Sequence, residues 1–303
     1  MHSLLCCPLC HGALSFAEKE IVCTSCGEGY SWVEGKPNLM AGGSRKEMGE
    51  LYQTIESGRV THRMTDRVGS YSPRLTQLLR GLAHLLSPPD PWFNYSRQKV
   101  KNTLFPPRDP GLVLDVGCGP SKFDSRCLGI DAYPHPAVDV VADSDSLPLL
   151  SSSADAVVSC SLLEHVFNPE RVVREFIRVL KPLGYLYIEM PFLQGYHPSP
   201  YDGQRYSHAG LEHLLREQGL VPIRTGMCSG PSSSLSFLLR KWLALVFSFR
   251  SQLLYELAGM VWGWITFPIK YGDLLLARHT QAIENAFGIY CLSQKPAAEK
   301  NSE

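Results

Sequence analysis

The chain reads VLDVGCGPSKFDSRCLGID over residues 113–131, and this stretch starts like the turn that cradles a nucleotide. A short apolar strand runs into Gly117 and Gly119, and a second strand begins almost at once near Leu128. A dinucleotide site wants G-x-G-x-x-G opening a full helix, because a pyrophosphate is held by free N–H groups at the helix start. Here the third glycine position is Lys122, Pro120 has no N–H, and nine residues separate Gly119 from Gly129. The helix is nearly deleted, which argues against a phosphate-bearing cofactor.

Outward from this stretch the pattern is strand and helix in alternation. Leu112–Leu114, Leu128–Ile130, Val138–Val141 and Ala156–Val158 read as short strands buried on both faces. A helix follows, capped by Asn168 with Pro169 at its first position, its buried face formed by Val172, Val173, Phe176, Ile177 and Leu180 and its stop by residues 181–184. Tyr185–Met190, Leu220–Thr225 and Ile289–Ser293 complete a seven-stranded, mostly parallel sheet, with a helix at His208–Gln218. The expectation is a doubly wound α/β domain over residues 111–296 whose ligands lie beyond the carboxyl ends of the strands.

A cofactor without phosphate tolerates the missing helix. S-adenosylmethionine presents an ammonium, a carboxylate, a ribose diol and an adenine, so it asks for carboxylates and close backbone. Asp115 suits the ammonium, Gly117 and Gly119 let the main chain approach, Asp131 can accept both ribose hydroxyls, and Asp143 with the Ser144 N–H suits the adenine edge. In order, "VLDVGCG", "GID", "VADSDSLP", "DAVVSCSLLEHV" and "REFIRVLKPLGYLYIEMP" resemble the class I adenosylmethionine-dependent methyltransferases, whose fold is Rossmann-like. That resemblance implies that Cys160 and Ser161, at the end of the fourth strand, also line the cofactor pocket.

The N-terminal residues 1–42 carry C-x-x-C pairs at Cys7/Cys10 and Cys23/Cys26, two knuckles that can close a tetrahedral zinc site, with Cys6 and His11 as bystanders. With the Gly35-Lys36-Pro37 turn, the segment resembles the zinc-ribbon activator subunit of tRNA and release-factor methyltransferases. Residues 43–110 read as a helical linker, with Leu75, Leu78, Leu79, Leu82, Leu85 and Leu86 on one stripe and a last helix at about 95–104. A linker of this kind implies two separate cores, and residues 297–303 read as a disordered tail.

Lys plus Arg and Asp plus Glu balance at 29 each, with 44% hydrophobic residues, so no global field draws nucleic acid. Cysteines crowded into the ribbon, and no secretory leader pattern, suggest a reducing, cytoplasmic setting. The loop at 192–210 gathers His197, Asp202, Arg205, Tyr206 and His208; His197, His208 and His165 are candidate bases, and Asp202, Arg205 and Tyr206 candidate acceptor contacts. Residues 231–286 form an apolar helical insertion whose runs are bracketed by Arg240, Lys241, Arg250 and Lys270, with Trp262, Trp264 and Phe267 suited to an acyl boundary. The expected reaction is O-methylation of an apolar or lipid-linked small molecule, with some membrane association. An rRNA guanine methyltransferase using the ribbon on RNA, and a non-catalytic cofactor-binding scaffold, are the alternatives.

Overall fold

The computed structural model describes residues 2–40, 94–106, 111–197 and 202–298. The leucine-striped helix expected around residues 75–86 lies outside the described residues. Short strands β1 (Leu14–Phe16), β2 (Ile21–Cys23), β3 (Gly29–Val33) and β4 (Lys36–Asn38) make an antiparallel ribbon. After helix α1 (Arg97–Leu104), the larger unit contributes β5 (Val113–Val116), β6 (Leu128–Asp131), β7 (Val140–Val141), β8 (Ala154–Cys160), β9 (Leu180–Pro191), β10 (Val221–Ser229) and β11 (Gly288–Gln294). The sheet runs β1-β2-β3-β4-β7-β6-β5-β8-β9-β11-β10. β5 pairs in parallel with both β6 and β8, so the strand order reverses there and opens a crevice at the carboxyl ends. β11 is antiparallel to β9 and to β10.

Two expectations are corrected here. The sheet has eleven strands rather than seven, because β4 joins β7 in parallel, Asn38 opposite Val141, and carries the whole ribbon with it. Nor are there two cores: Leu5, Ile21, Tyr30 and Leu39 of the ribbon pack in one cluster with Leu114, Leu147, Leu149 and Phe176. The residues after β7 are gripped from the ribbon side by Cys6 N–H on Pro148 O (3.0 Å), Ser146 Oγ on Pro8 O (2.9 Å) and Leu150 N–H on Leu4 O (3.2 Å).

Helix α2 (Pro169–Val179) is capped as its sequence asks, the Asn168 side-chain Oδ1 accepting from Arg171 N–H at 3.0 Å. Its end differs: β9 starts at Leu180, expected on the buried face of the helix, and runs through residues 181–184, expected as the stop. The Lys295 ammonium, just past β11, donates to the carbonyls of Ile177 and Leu180 at 2.7 Å each and satisfies the helix end from a distant strand. Helix α3 (His208–Glu217) starts behind Ser207, whose Oγ accepts from Gly210 N–H.

Between β10 and β11 lie α4 (Pro231–Val246), α5 (Gln252–Thr266), a short 3-10 segment (Phe267–Gly272) and α6 (Asp273–Leu276). α4 is inside out: Ser232, Ser233, Ser234 and Ser236 are buried, while Leu235, Leu238, Trp242 and Leu245 are exposed. Its first turn is tied down by the fully buried Asp273, which accepts from Ser232 N–H (2.7 Å), Ser233 N–H (3.0 Å) and Ser233 Oγ (2.8 Å).

Candidate functional site

Three groups of side chains meet at the carboxyl edge of the sheet. The first is the turn after β5. Gly117 and Gly119 both take positive φ (78° and 55°), a conformation costly for any residue with a Cβ. A Cβ on Gly117 would stand 3.0 Å from Leu162, whereas one on Gly119 would meet nothing within 4 Å, so the first glycine is required by packing and the second borders open space. No helix forms between β5 and β6, in keeping with the shortened link. Asp115 is buried and accepts from Phe123 N–H at 2.6 Å; burial raises its carboxyl to about 6, against the pull of that N–H and of Arg97. Asp131 Oδ2 accepts from Gly119 N–H at 2.8 Å and Oδ1 from Tyr133 N–H at 2.9 Å, so this carboxylate organises the turn as well as facing the crevice end of β6. Asp143 accepts from Asp145 N–H at 3.3 Å, and Ser144 beside it is buried. Ser161 takes a φ of 54° and its N–H donates to Glu189 O, while burial holds the neighbouring Cys160 thiol well above its ordinary range.

The second group lines a cavity of about 400 Å³ between the strand ends and the insertion. Ser161, Glu189 and Gln194 form one side, Phe237, Arg240, Thr266, Lys270 and Phe287 the other. Glu189 is the polar anchor: Oε1 accepts from Asn94 Nδ2 (2.8 Å), Ser96 Oγ (2.9 Å) and Tyr187 Oη (2.5 Å), and Oε2 pairs with Arg97 Nη2 at 3.1 Å. Burial would raise this carboxyl, but Arg97 and the hydroxyl donors outweigh it and hold it below its ordinary range. Asn94, Arg97 and Glu189 were not singled out from sequence. The available signal was an acid inside the otherwise apolar run "YLYIEMP".

The third group surrounds the 3-10 turn Leu163–His165. Glu164 is fully buried, with His165 Nε2 at 3.6 Å and His197 Nε2 at 3.9 Å from its Oε1. The two imidazoles meet edge to face, centroids 5.3 Å apart. Asp202 accepts from His197 N–H (2.8 Å) and pairs with Arg205, which holds its carboxyl down at about 2. His197 and His165 therefore come together with Asp202 and Arg205. Tyr206 instead packs against the main core, and His208 opens α3 outside this cluster.

In the ribbon, Cys7, Cys10, Cys23 and Cys26 converge, Cys7 Sγ 3.7 Å from Cys26 Sγ and Cys10 Sγ 3.5 Å from Cys23 Sγ. Four sulfurs at Zn–S bonds of 2.3 Å stand about 3.8 Å apart in a tetrahedron, so the residues present fit a zinc ion. The Tyr30 hydroxyl lies 3.1 Å from Cys7 Sγ, placed to donate to a thiolate there.

Two family models match separate parts of this layout. Residues 114–188 match the methyltransferase domain family Methyltransf_11, and residues 1–31 match the Trm112p-like protein family. A "Probable S-adenosylmethionine-dependent methyltransferase" of Mycobacterium tuberculosis is 27% identical over 164 residues, covering 46% of this chain and 60% of that protein. A "Probable tRNA methyltransferase 9B" of Mus musculus is 32% identical over 107 residues, 30% of this chain and 24% of that one. The chain thus spans less than two thirds of the length of these relatives. A chain from a complex containing the Haloferax volcanii Trm112 methyltransferase activator superposes with a TM-score of 0.42 at 16% identity, over 75% of this chain and 97% of that chain. By its motifs and its matched segments, the chain is similar to the class I adenosylmethionine-dependent methyltransferases and carries a Trm112p-like ribbon ahead of the methyltransferase domain.

Proposed function

We propose that the protein transfers a methyl group from S-adenosylmethionine to an oxygen of an apolar or lipid-linked small molecule. The observation that carries this reading is the cavity between the strand ends and an inside-out helical insertion, one of whose lining residues, Ser161, precedes Leu162, the side chain nearest Gly117. The cofactor supplies a methyl group activated on a sulfonium. Asp115, Gly117 and Gly119 would hold its methionine part, Asp131 the ribose, Asp143 and Ser144 the adenine, and Cys160 and Ser161 the wall toward the acceptor. The open space over Gly119 and the carboxylates at successive strand ends suit those needs.

The protein's remaining work is to orient the acceptor, exclude water and receive a proton. Phe237 and Phe287 offer the acceptor an apolar wall, and Arg240 and Lys270 bring positive charge suited to a phosphate or carboxylate. The proton-accepting group belongs to the Glu164–His165–His197 cluster, with Asp202 and Arg205 holding His197 in place. Zinc in the ribbon is part of the same proposal, as a structural ion.

RNA is the second reading, favoured by the tRNA methyltransferase relative and the Trm112p-like segment. Tritiated adenosylmethionine incubated with protein and cell extract, then fractionated into lipid, RNA and protein, tests both. Label in the lipid or small apolar fraction is expected. Label only in RNA transfers the assignment to the second reading, and cofactor binding without label anywhere leaves a scaffold.

A further inference from the structure

We infer that Glu164, His165 and His197 form a binding site for a divalent transition metal, separate from the zinc ribbon. The ligand-capable atoms of the three residues lie within 4.8 Å of one another, on two segments brought together only by the fold. Two ligand atoms on one metal at bonds of 2.0–2.1 Å stand about 3.0–3.4 Å apart. The 3.6 and 3.9 Å from Glu164 Oε1 to the two imidazole nitrogens exceed that by a few tenths of an ångström, within reach of small side-chain rotations.

An independent observation points to a ligand here. Glu164 is fully buried and, among the described residues, neither of its carboxylate oxygens has a hydrogen-bond partner. A buried carboxylate without donors is expensive, and a bound cation removes the cost. The second shell of His197 also suits a ligand. Its Nδ1 lies 3.0 Å from Gly195 O and 3.3 Å from Asp202 Oδ2, two acceptors that favour a proton on Nδ1 and leave the Nε2 lone pair facing Glu164. Arg205 Nη2, 3.2 Å from the same Nδ1, already donates to Asp202 and does not need the ring nitrogen as an acceptor.

Two imidazoles and one carboxylate match Mn²⁺, Fe²⁺, Co²⁺ or Zn²⁺ better than Mg²⁺ or Ca²⁺, which prefer oxygen alone. Three protein ligands leave positions open to water or to an acceptor oxygen. The site is near the proposed chemistry: Leu162 packs on Gly117, and Arg205 donates to the carbonyl of Gln194, a cavity residue. With a metal in place the cluster would assist deprotonation by lowering the pKa of a hydroxyl in an open position, and the imidazoles would act as proton acceptors only in the metal-free cluster. The inference rests on the cluster itself and holds whether or not the methyl acceptor is the one proposed above.

The test uses the full chain with its ribbon first saturated with zinc. Mn²⁺ is titrated in, and free Mn²⁺ is read by electron paramagnetic resonance. One Mn²⁺ per chain is expected, with affinity at least tenfold weaker in Glu164→Gln and in His197→Ala and with ribbon zinc unchanged. His197 is partly exposed, so its truncation leaves the fold intact, as circular dichroism and adenosylmethionine binding will report. The inference is overturned if the parent binds no Mn²⁺, and no Co²⁺ or Zn²⁺ beyond the ribbon's ion, or if binding persists undiminished in both variants.

Discussion

Asp131 has a structural role and a proposed role toward the cofactor, and its replacement by alanine removes both. It fixes the turn through the N–H groups of Gly119 and Tyr133, and its remaining lone pairs are those proposed to accept from a ribose diol. Asp131→Ala is expected to weaken adenosylmethionine binding by about 1–3 kcal/mol in calorimetry; unchanged affinity would remove Asp131 from the cofactor site. Asp115 adds a pH dependence. Because burial raises its carboxyl to about 6, the folded chain holds that proton more tightly than the unfolded chain. The ligand-free protein then loses this stability as pH rises from about 4 toward about 6, while affinity for a cationic ammonium rises over the same window as Asp115 ionises. Calorimetry at pH 5 and 7.5 should find weaker binding at the lower pH, and Asp115→Asn should flatten the difference. The placement of Asp115, Asp131 and the two glycines at the ends of β5 and β6 was legible in sequence, because short buried strands fix where such residues fall. Glu189, Arg97 and Glu164 were not, since a buried acid is informative only once its partners from distant segments are known.

At the scale of elements, the ribbon matters more than its spacing of cysteines suggested. The four thiols could be read from two C-x-x-C pairs, but no local signal tells that β4 extends the sheet at β7 or that Cys6, Pro8 and Leu4 grip residues 146–150. That loop begins at Asp143 and Ser144, the proposed adenine contacts, and is held from its other side by Arg178, which donates to the carbonyls of Leu147 and Leu149. Cys23→Ser should therefore release one zinc per chain and lower the melting temperature of the whole protein in a single transition, since ribbon and sheet share one core. It should also weaken adenosylmethionine binding severalfold, although no cysteine of the ribbon is a proposed cofactor contact. Metal analysis, calorimetry and cofactor titration of the variant check all three, and a ribbon that melts alone while the rest stays folded would contradict the shared core. The end of α2 shows the same limit: the helix start was legible from Asn168 and Pro169, whereas its stop depends on Lys295, more than a hundred residues away.

Over the whole molecule, most of the exposed large hydrophobic side chains among the described residues belong to the insertion, including Trp242, Phe249, Val261, Trp264 and Leu275. Buried serines and exposed aromatics are the reverse of what water selects, so the outer face of α4 and α5 suits an apolar surrounding. No helix of the described residues is long and apolar enough to cross a bilayer, which leaves contact with its surface as the geometry to test. The cations divide. Lys241 and Arg250 are exposed, where they can meet anionic head groups, but Arg240 donates to Gly259 O and lines the cavity, as does Lys270. Trp262 is half-buried against Phe247 rather than projecting outward, so Trp242 and Trp264 carry the outward aromatic face. The protein is expected to sediment with anionic liposomes at low salt and to be partly released as salt screens Lys241 and Arg250. Trp264→Glu combined with Leu275→Glu should reduce the bound fraction at least tenfold without changing adenosylmethionine affinity, because neither residue lines the cavity. Partition of the parent entirely to the supernatant at low salt would refute bilayer contact and return this face to a protein partner.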